Sequence, residues 1–186
     1  NDKNFLAPWG ETFPSTSDPD ILVESEKVIE EVLNKCGYTS GPFNIDLFID
    51  NNNKPFINEI GPRNGGNFIP QVTKLATGVD MIEASVEYCY DKTFEFNPTS
   101  SPDARYVYSS YMIQCKEDLN ISGWTYKEKL KRHIVKETLF SDYISSVSKF
   151  TNGSNALGNL ILRFESISEM NEMYKDINKQ LVWSII

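Results

Sequence analysis

Apolar positions along the chain fall into recognisable periods. From Asp20 to Gly37, Ile21, Val28, Ile29, Val32 and Leu33 recur at helical spacing, and Gly37 supplies a natural stop. Two short β-like runs follow, Phe43–Asp50 and Pro55–Ile60, around Asn51-Asn52-Asn53-Lys54, a composition suited to a hairpin loop. A glycine-rich stretch from Gly61 to Gly66 leads into helical patterns over Phe68–Thr77 and Met81–Tyr90. Asp80 and Glu83 are placed as an N-terminal capping box for the second. Residues 1–19, with three prolines and many turn formers, predict an irregular lead-in.

The second half predicts strands at Arg105–Cys115, His133–Phe140, Ser146–Phe150, Gly158–Phe164 and Val182–Ile186. A helix between the last two is capped by Ser166 and Glu169, with Met170, Met173, Tyr174 and Ile177 on one apolar face. Residues 93–104, rich in Pro, Ser, Thr and Asn, are the best boundary. The expected architecture is α+β in two parts, residues 1–100 and 101–186, the first an antiparallel sheet with helices.

Charge narrows the partners. Of the net −8, residues 1–100 carry −9 and the remainder +1. An acidic first half disfavours nucleic acid and suits a divalent cation, although acidic surface also serves solubility alone. No run approaches the roughly 18 apolar residues of a membrane span. The chain opens Asn1-Asp2-Lys3-Asn4 with neither a leader pattern nor an initiator Met, so the expectation is a piece of a longer, cytoplasmic protein. Cys36, Cys89 and Cys115 are widely spaced and His133 is the lone histidine, which disfavours zinc and suggests reduced thiols. Trp9, Trp124 and Trp183 are expected to be packing residues, and Lys127–Lys136 a solvated helix face running into an edge strand.

The chemistry concentrates between Gly41 and Pro70. A hairpin closing around Asn52-Asn53 pairs Asp50 with Pro55, Phe48 with Ile57 and Asp46 with Glu59. Directly opposed Cβ atoms lie about 4.5–5.5 Å apart, and two carboxylates that close repel unless a cation lies between them. Mg²⁺, or Mn²⁺, takes such oxygen ligands and leaves positions for water and phosphate. Arg63 adds a positive fork for phosphate or an acyl oxygen. Gly65 and Gly66 let backbone approach a ligand, and Asn44 and Asn64 enrich the neighbourhood. The competing reading is a surface hairpin whose wet face happens to be acidic.

The set Gly41-x-x-Asn44-x-Asp46, then Asn58-Glu59-Ile60-Gly61-Pro62-Arg63 and Gly65-Gly66, with Thr77-Gly78-Val79-Asp80 before a helix, resembles the metal-binding end of the ATP-grasp ligases. The resemblance covers about the first hundred residues, and more weakly the small C-terminal domain through Gly158–Leu162 and the last helix. It implies the C-terminal portion of a carboxylate–amine or carbamoyl-phosphate-synthase-like ligase. Asp46 and Glu59 would hold Mg²⁺ on the ATP phosphates, and Arg63 would stabilise the acyl phosphate. Many members have Asn where this chain has Gly61; Asn58, Asn64 or Asn67 are the substitutes, Asn64 first. The family's phosphate-gripping lysines, lid and N-terminal domain have no counterpart in residues 1–40, so the 186-residue chain is expected to be inactive alone. ATP and a small carboxylate are the implied partners, with a homodimer compatible. The alternative is a non-catalytic module that binds a small ligand or dimerises.

Overall fold

A computed structural model describes residues 8–91, 105–140 and 145–186. The first part holds strand β1 (Gly10–Phe13), helix α1 (Pro19–Lys35), the hairpin β2 (Asn44–Ile49) and β3 (Pro55–Gly61), and helices α2 (Ile69–Thr77) and α3 (Met81–Tyr90). Local chemistry sets the helix ends. The Asp18 carboxylate accepts from the Asp20 amide ahead of α1, and Gly78, at φ 77°, ends α2 in the left-handed region. Asp80 caps α3 by accepting from the Ile82 and Glu83 amides.

The second part runs β4 (Val107–Ile113), β5 (Leu119–Tyr126), the single-turn α4 (Glu128–Lys131), β6 (Ile134–Leu139), β7 (Ser146–Val147), β8 (Gly158–Phe164), α5 (Ile167–Asp176) and β9 (Leu181–Ile185). These strands form an antiparallel sheet in the order β1-β4-β8-β6 and a smaller one in the order β7-β5-β9. The larger sheet is covered on both faces, which is why every residue of β4 is buried. On one face Tyr111, Leu160, Leu162 and Phe164 pack against Met170, Met173 and Ile177. On the other, Tyr108 and Ile161 meet Val72 and Ala76 of α2. The tryptophans pack as expected: Trp9 lies 5.3 Å from Tyr174 and Trp124 5.7 Å from Trp183, centroid to centroid. The Lys127–Lys136 stretch is α4 running into the edge strand β6, with His133 buried between them.

Two strands depart from the sequence expectation. β1 lies inside the lead-in predicted to be irregular; four residues carry too little periodicity, and the strand exists because Gly10–Phe13 pair with Tyr111–Tyr108 of β4. β5 escaped because its register shifts between Ile121 and Gly123, so its apolar positions change phase midway. The predicted boundary, 93–104, lies outside the described residues. One sheet holds β1 from before it and β4, β8 and β6 from after it.

Gly10 makes β1's approach to β4 feasible, since a Cβ there would lie 2.4 Å from the Ser110 carbonyl oxygen. Gly10→Ala is therefore expected to lower stability by about 1–3 kcal/mol in urea unfolding. Gly66→Ala, with open space around its Cβ, should change it by less than about 0.5 kcal/mol.

Candidate active site

The β2–β3 hairpin presents the first group of candidate residues. Its loop is closed by Asp50, whose Oδ1 accepts from the backbone amides of Asn52 and Lys54, each at 2.8 Å. Asn53 takes the left-handed conformation at φ 61°. This turn starts the ladder one step from the expected pairing: Ile49 faces Pro55, Phe48 faces Phe56 and Leu47 faces Ile57. A bulge then inserts Asn58, and beyond it Asp46 faces Glu59, Ile45 faces Ile60 and Asn44 faces Gly61. Asp46 and Glu59 thus share a face, both exposed. Asn44 donates its amide to Asp46 Oδ1 at 3.3 Å.

Beyond β3 the chain turns back, the Arg63 amide donating to the Gly61 carbonyl at 2.8 Å. The Arg63 guanidinium folds over Gly61 and donates to the Asn64 carbonyl at 2.9 Å. A Cβ on Gly65 would lie 2.7 Å from Asn44 Oδ1 and 2.8 Å from Ile69 Cδ1, so glycine is what lets this turn close against β2. Asn64 goes elsewhere. Its amide nitrogen donates to the Met81 carbonyl at 3.2 Å and to Ser85 Oγ at 2.9 Å, docking it on α3, and its Oδ1 is buried without a hydrogen-bond partner. The structure therefore brings Asn44, Asp46 and Glu59 together on the hairpin and sets the Asn64 side chain against a helix.

Sequence reasoning missed Glu11. Its Oε1 accepts from Asn67 Nδ2 at 3.0 Å and its Oε2 from Ser110 Oγ at 2.7 Å. Burial raises its pKa, the two hydrogen bonds lower it, and the nearby charge of Asp46 raises it further, for a net rise. Asn67 reaches Glu11 from a strained turn, with Asn67 at φ 50° and Phe68 at φ 64°. An isolated glutamate in a Pro-rich segment gives no local signal; only the pairing of Glu11 with Ser110 reveals it.

No protein-family profile and no curated protein sequence matches the chain. Solved structures do. The chain superposes on the L-amino acid ligase from Bacillus licheniformis with a TM-score of 0.80 at 16% identity, covering 98% of this chain and 45% of that one. It superposes on phosphoribosylglycinamide synthetase from Anaerococcus prevotii with a TM-score of 0.74 at 17% identity, covering 97% and 46%. The fold is that of the ATP-grasp ligases. A third neighbour, the biotin carboxylase domain dimer of the Hydrogenobacter thermophilus 2-oxoglutarate carboxylase, was solved with MgADP, ADP and bicarbonate (TM-score 0.61, 12% identity, 96% and 39% covered). The chain spans less than half the length of these ATP-grasp proteins.

Asp46 and Glu59 form a donor set of two exposed carboxylates. Among the described residues no group of three or more His, Cys, Asp or Glu side chains could hold a metal. One or two carboxylates, with phosphate and water completing the shell, is the usual arrangement for Mg²⁺ on a nucleotide.

Glu11 generates a pH prediction. Its raised pKa means that the folded state holds the proton more tightly than the unfolded chain. Stability should therefore fall as pH rises from the ordinary glutamate range, about pH 4, through the raised value. Glu11→Gln removes that loss, so its urea midpoint should exceed wild type at neutral pH, with the gap narrowing on acidification.

Proposed function

We propose that this chain is the metal-binding part of an ATP- and Mg²⁺-dependent ligase that activates a small carboxylate as an acyl phosphate for attack by an amine. The observation that carries the reading is the Asp46–Glu59 opposition, set by the Asn58 bulge and followed four residues later by Arg63, on an ATP-grasp fold. In the reaction the γ-phosphoryl group of ATP passes to a carboxylate oxygen and ADP leaves. The amine nitrogen then attacks the acyl carbon, the carbon–oxygen bond to phosphate breaks, and a proton leaves the nitrogen. Bound Mg²⁺ supplies charge neutralisation on the phosphates.

The chain's own residues take these roles. Asp46 and Glu59 hold the cation, with Asn44 fixing the Asp46 carboxylate. The Arg63 guanidinium faces the charge that develops on the transferred group. The backbone at Gly65 and Gly66 comes close to the ligand. The remaining nucleotide contacts lie in the part of the ligase fold that this chain does not span. No helix among the described residues is long and apolar enough to cross a membrane, and a cytoplasmic location stays part of the proposal. The second reading, a non-catalytic module binding a small ligand or a second copy, draws on Gly61 and on Asn64, whose side chain is engaged by α3.

Substitution in a protein carrying the whole ligase fold around this chain separates the two. Glu59→Gln should remove most ATP-dependent turnover, read as ADP release, with little change in melting temperature. Arg63→Ala should cost about 10²–10³ in rate. Near wild-type turnover in both variants at saturating Mg²⁺ and ATP contradicts the ligase reading, and the 186-residue chain alone should show no turnover.

A further inference from the structure

The ligase roles leave one cavity unused, a space of about 330 Å³ between α3 and the loop that precedes β2. Pro42, Val79, Met81 and Ala84 give it apolar walls, and none of its described lining residues carries a charge. Its shape is held by hydrogen bonds within the chain. The Tyr38 hydroxyl donates to the Pro42 carbonyl at 2.9 Å, and the Ser40 and Tyr88 hydroxyls share a hydrogen bond of 2.8 Å that clasps the loop to α3. Gly41, at φ 109°, makes the bend; a Cβ there would lie 3.3 Å from the Tyr38 hydroxyl and 3.5 Å from the Tyr88 ring. Pre-formed, mainly apolar cavities with a few fixed polar groups are the usual form of a small-molecule site.

Asn64 supplies a polar point in this wall. Its Nδ2 donates to the Met81 carbonyl and to Ser85 Oγ, and Ser85 Oγ itself donates to the Met81 carbonyl at 2.6 Å. Turning the amide over would set its oxygen against that carbonyl, so Oδ1 is fixed as a buried acceptor without a donor. Such an acceptor carries the desolvation cost of an unmade hydrogen bond, which a donor brought into the cavity would recover. An ion is a poor match for walls without charge, whereas the Met81 thioether and the Tyr88 ring favour an aromatic body. At the packing density of protein interiors the space takes a molecule of about a dozen heavy atoms. The same residue also supports Arg63, whose guanidinium donates to the Asn64 carbonyl at 2.9 Å.

We propose that this cavity binds a small neutral aromatic molecule carrying one N–H or O–H donor, and that its occupancy is felt at Arg63. The ring lies against Pro42, Met81 and Tyr88, and the donor reaches Asn64 Oδ1. Binding is independent of the ligase reading; only the consequence of a shifted Arg63 for phosphoryl transfer rests on it. The route is short, from the ligand to the Asn64 side chain and from the Asn64 carbonyl to the Arg63 guanidinium. Because the Asn64 amide also holds α3, a molecule seated on it bears on that helix and on the turn after β3 together.

The test needs neither ATP nor metal. The ¹⁵N-labelled chain is titrated with indole and, separately, with 1-methylindole, which keeps the ring and lacks the donor. The Asn64 side-chain amide and Arg63 Nε–H signals are followed. Indole should shift both saturably, and 1-methylindole should bind about tenfold more weakly. Ala84→Leu fills the cavity from α3 with a good helix former, so it should abolish saturable indole binding with little change in melting temperature. The two probes decide the matter in the unaltered chain even if that variant folds poorly. No saturable shift with indole, equal affinity for the two probes, unchanged binding in a folded Ala84→Leu, or a shift at Asn64 that leaves Arg63 unmoved overturns the proposal. In a protein carrying the whole ligase fold, indole binding with no ATP-dependent turnover would keep the site and remove the ligase reading; turnover sensitive to Glu59→Gln, with no indole binding, would do the reverse.

Discussion

One inserted residue decides which side chains share the open face of the hairpin. The Asp50–Lys54 turn starts the ladder in a register that, continued unbroken, would put Asp46 opposite Asn58 and turn Glu59 to the other face. The bulge at Asn58 absorbs that offset, and past it the two carboxylates face each other. Bulges beside functional sites commonly re-aim a side chain in this way. The shared face of Asp46 and Glu59 and the position of Arg63 beyond the strand follow from it, while the Asn44 contact to Asp46 lies within β2 itself.

A second constraint acts at long range. β1 hydrogen-bonds to β4 about a hundred residues later in the chain and carries Glu11 into contact with Ser110. Asn67 reaches the same carboxylate from the turn before α2. Glu11 thus ties the large sheet to the turn before α2, and burial raises its pKa.

Legibility in the sequence followed the range of the interactions. Helices α1, α2, α3 and α5 were readable because caps and periodic stripes are local, as with Asp80 ahead of Met81 and Gly78 after Thr77. The opposition of Asp46 to Glu59 was reached through a hairpin without a bulge; the expected Phe48–Ile57 and Asp50–Pro55 pairs gave way to Phe48–Phe56 and Ile49–Pro55. Asn64 was placed near the hairpin by position alone; that its Nδ2 docks on Met81 and Ser85 of α3 is set by helix packing that no local pattern encodes. Glu11 was invisible for the same reason: its partners lie 56 and 99 residues away.

The Asp46–Glu59 pair is the proposed divalent-cation site. Paramagnetic line broadening by Mn²⁺ in the ¹⁵N-labelled chain tests it most directly, since it detects weak binding and reports its place. Broadening should centre on the backbone amides of Asn44–Phe48 and Ile57–Gly61 and be lost in Asp46→Asn. Broadening spread over the acidic side chains of α1, such as Glu24, Glu30 and Glu31, or unchanged by Asp46→Asn, would show that the hairpin carboxylates are only part of an acidic surface.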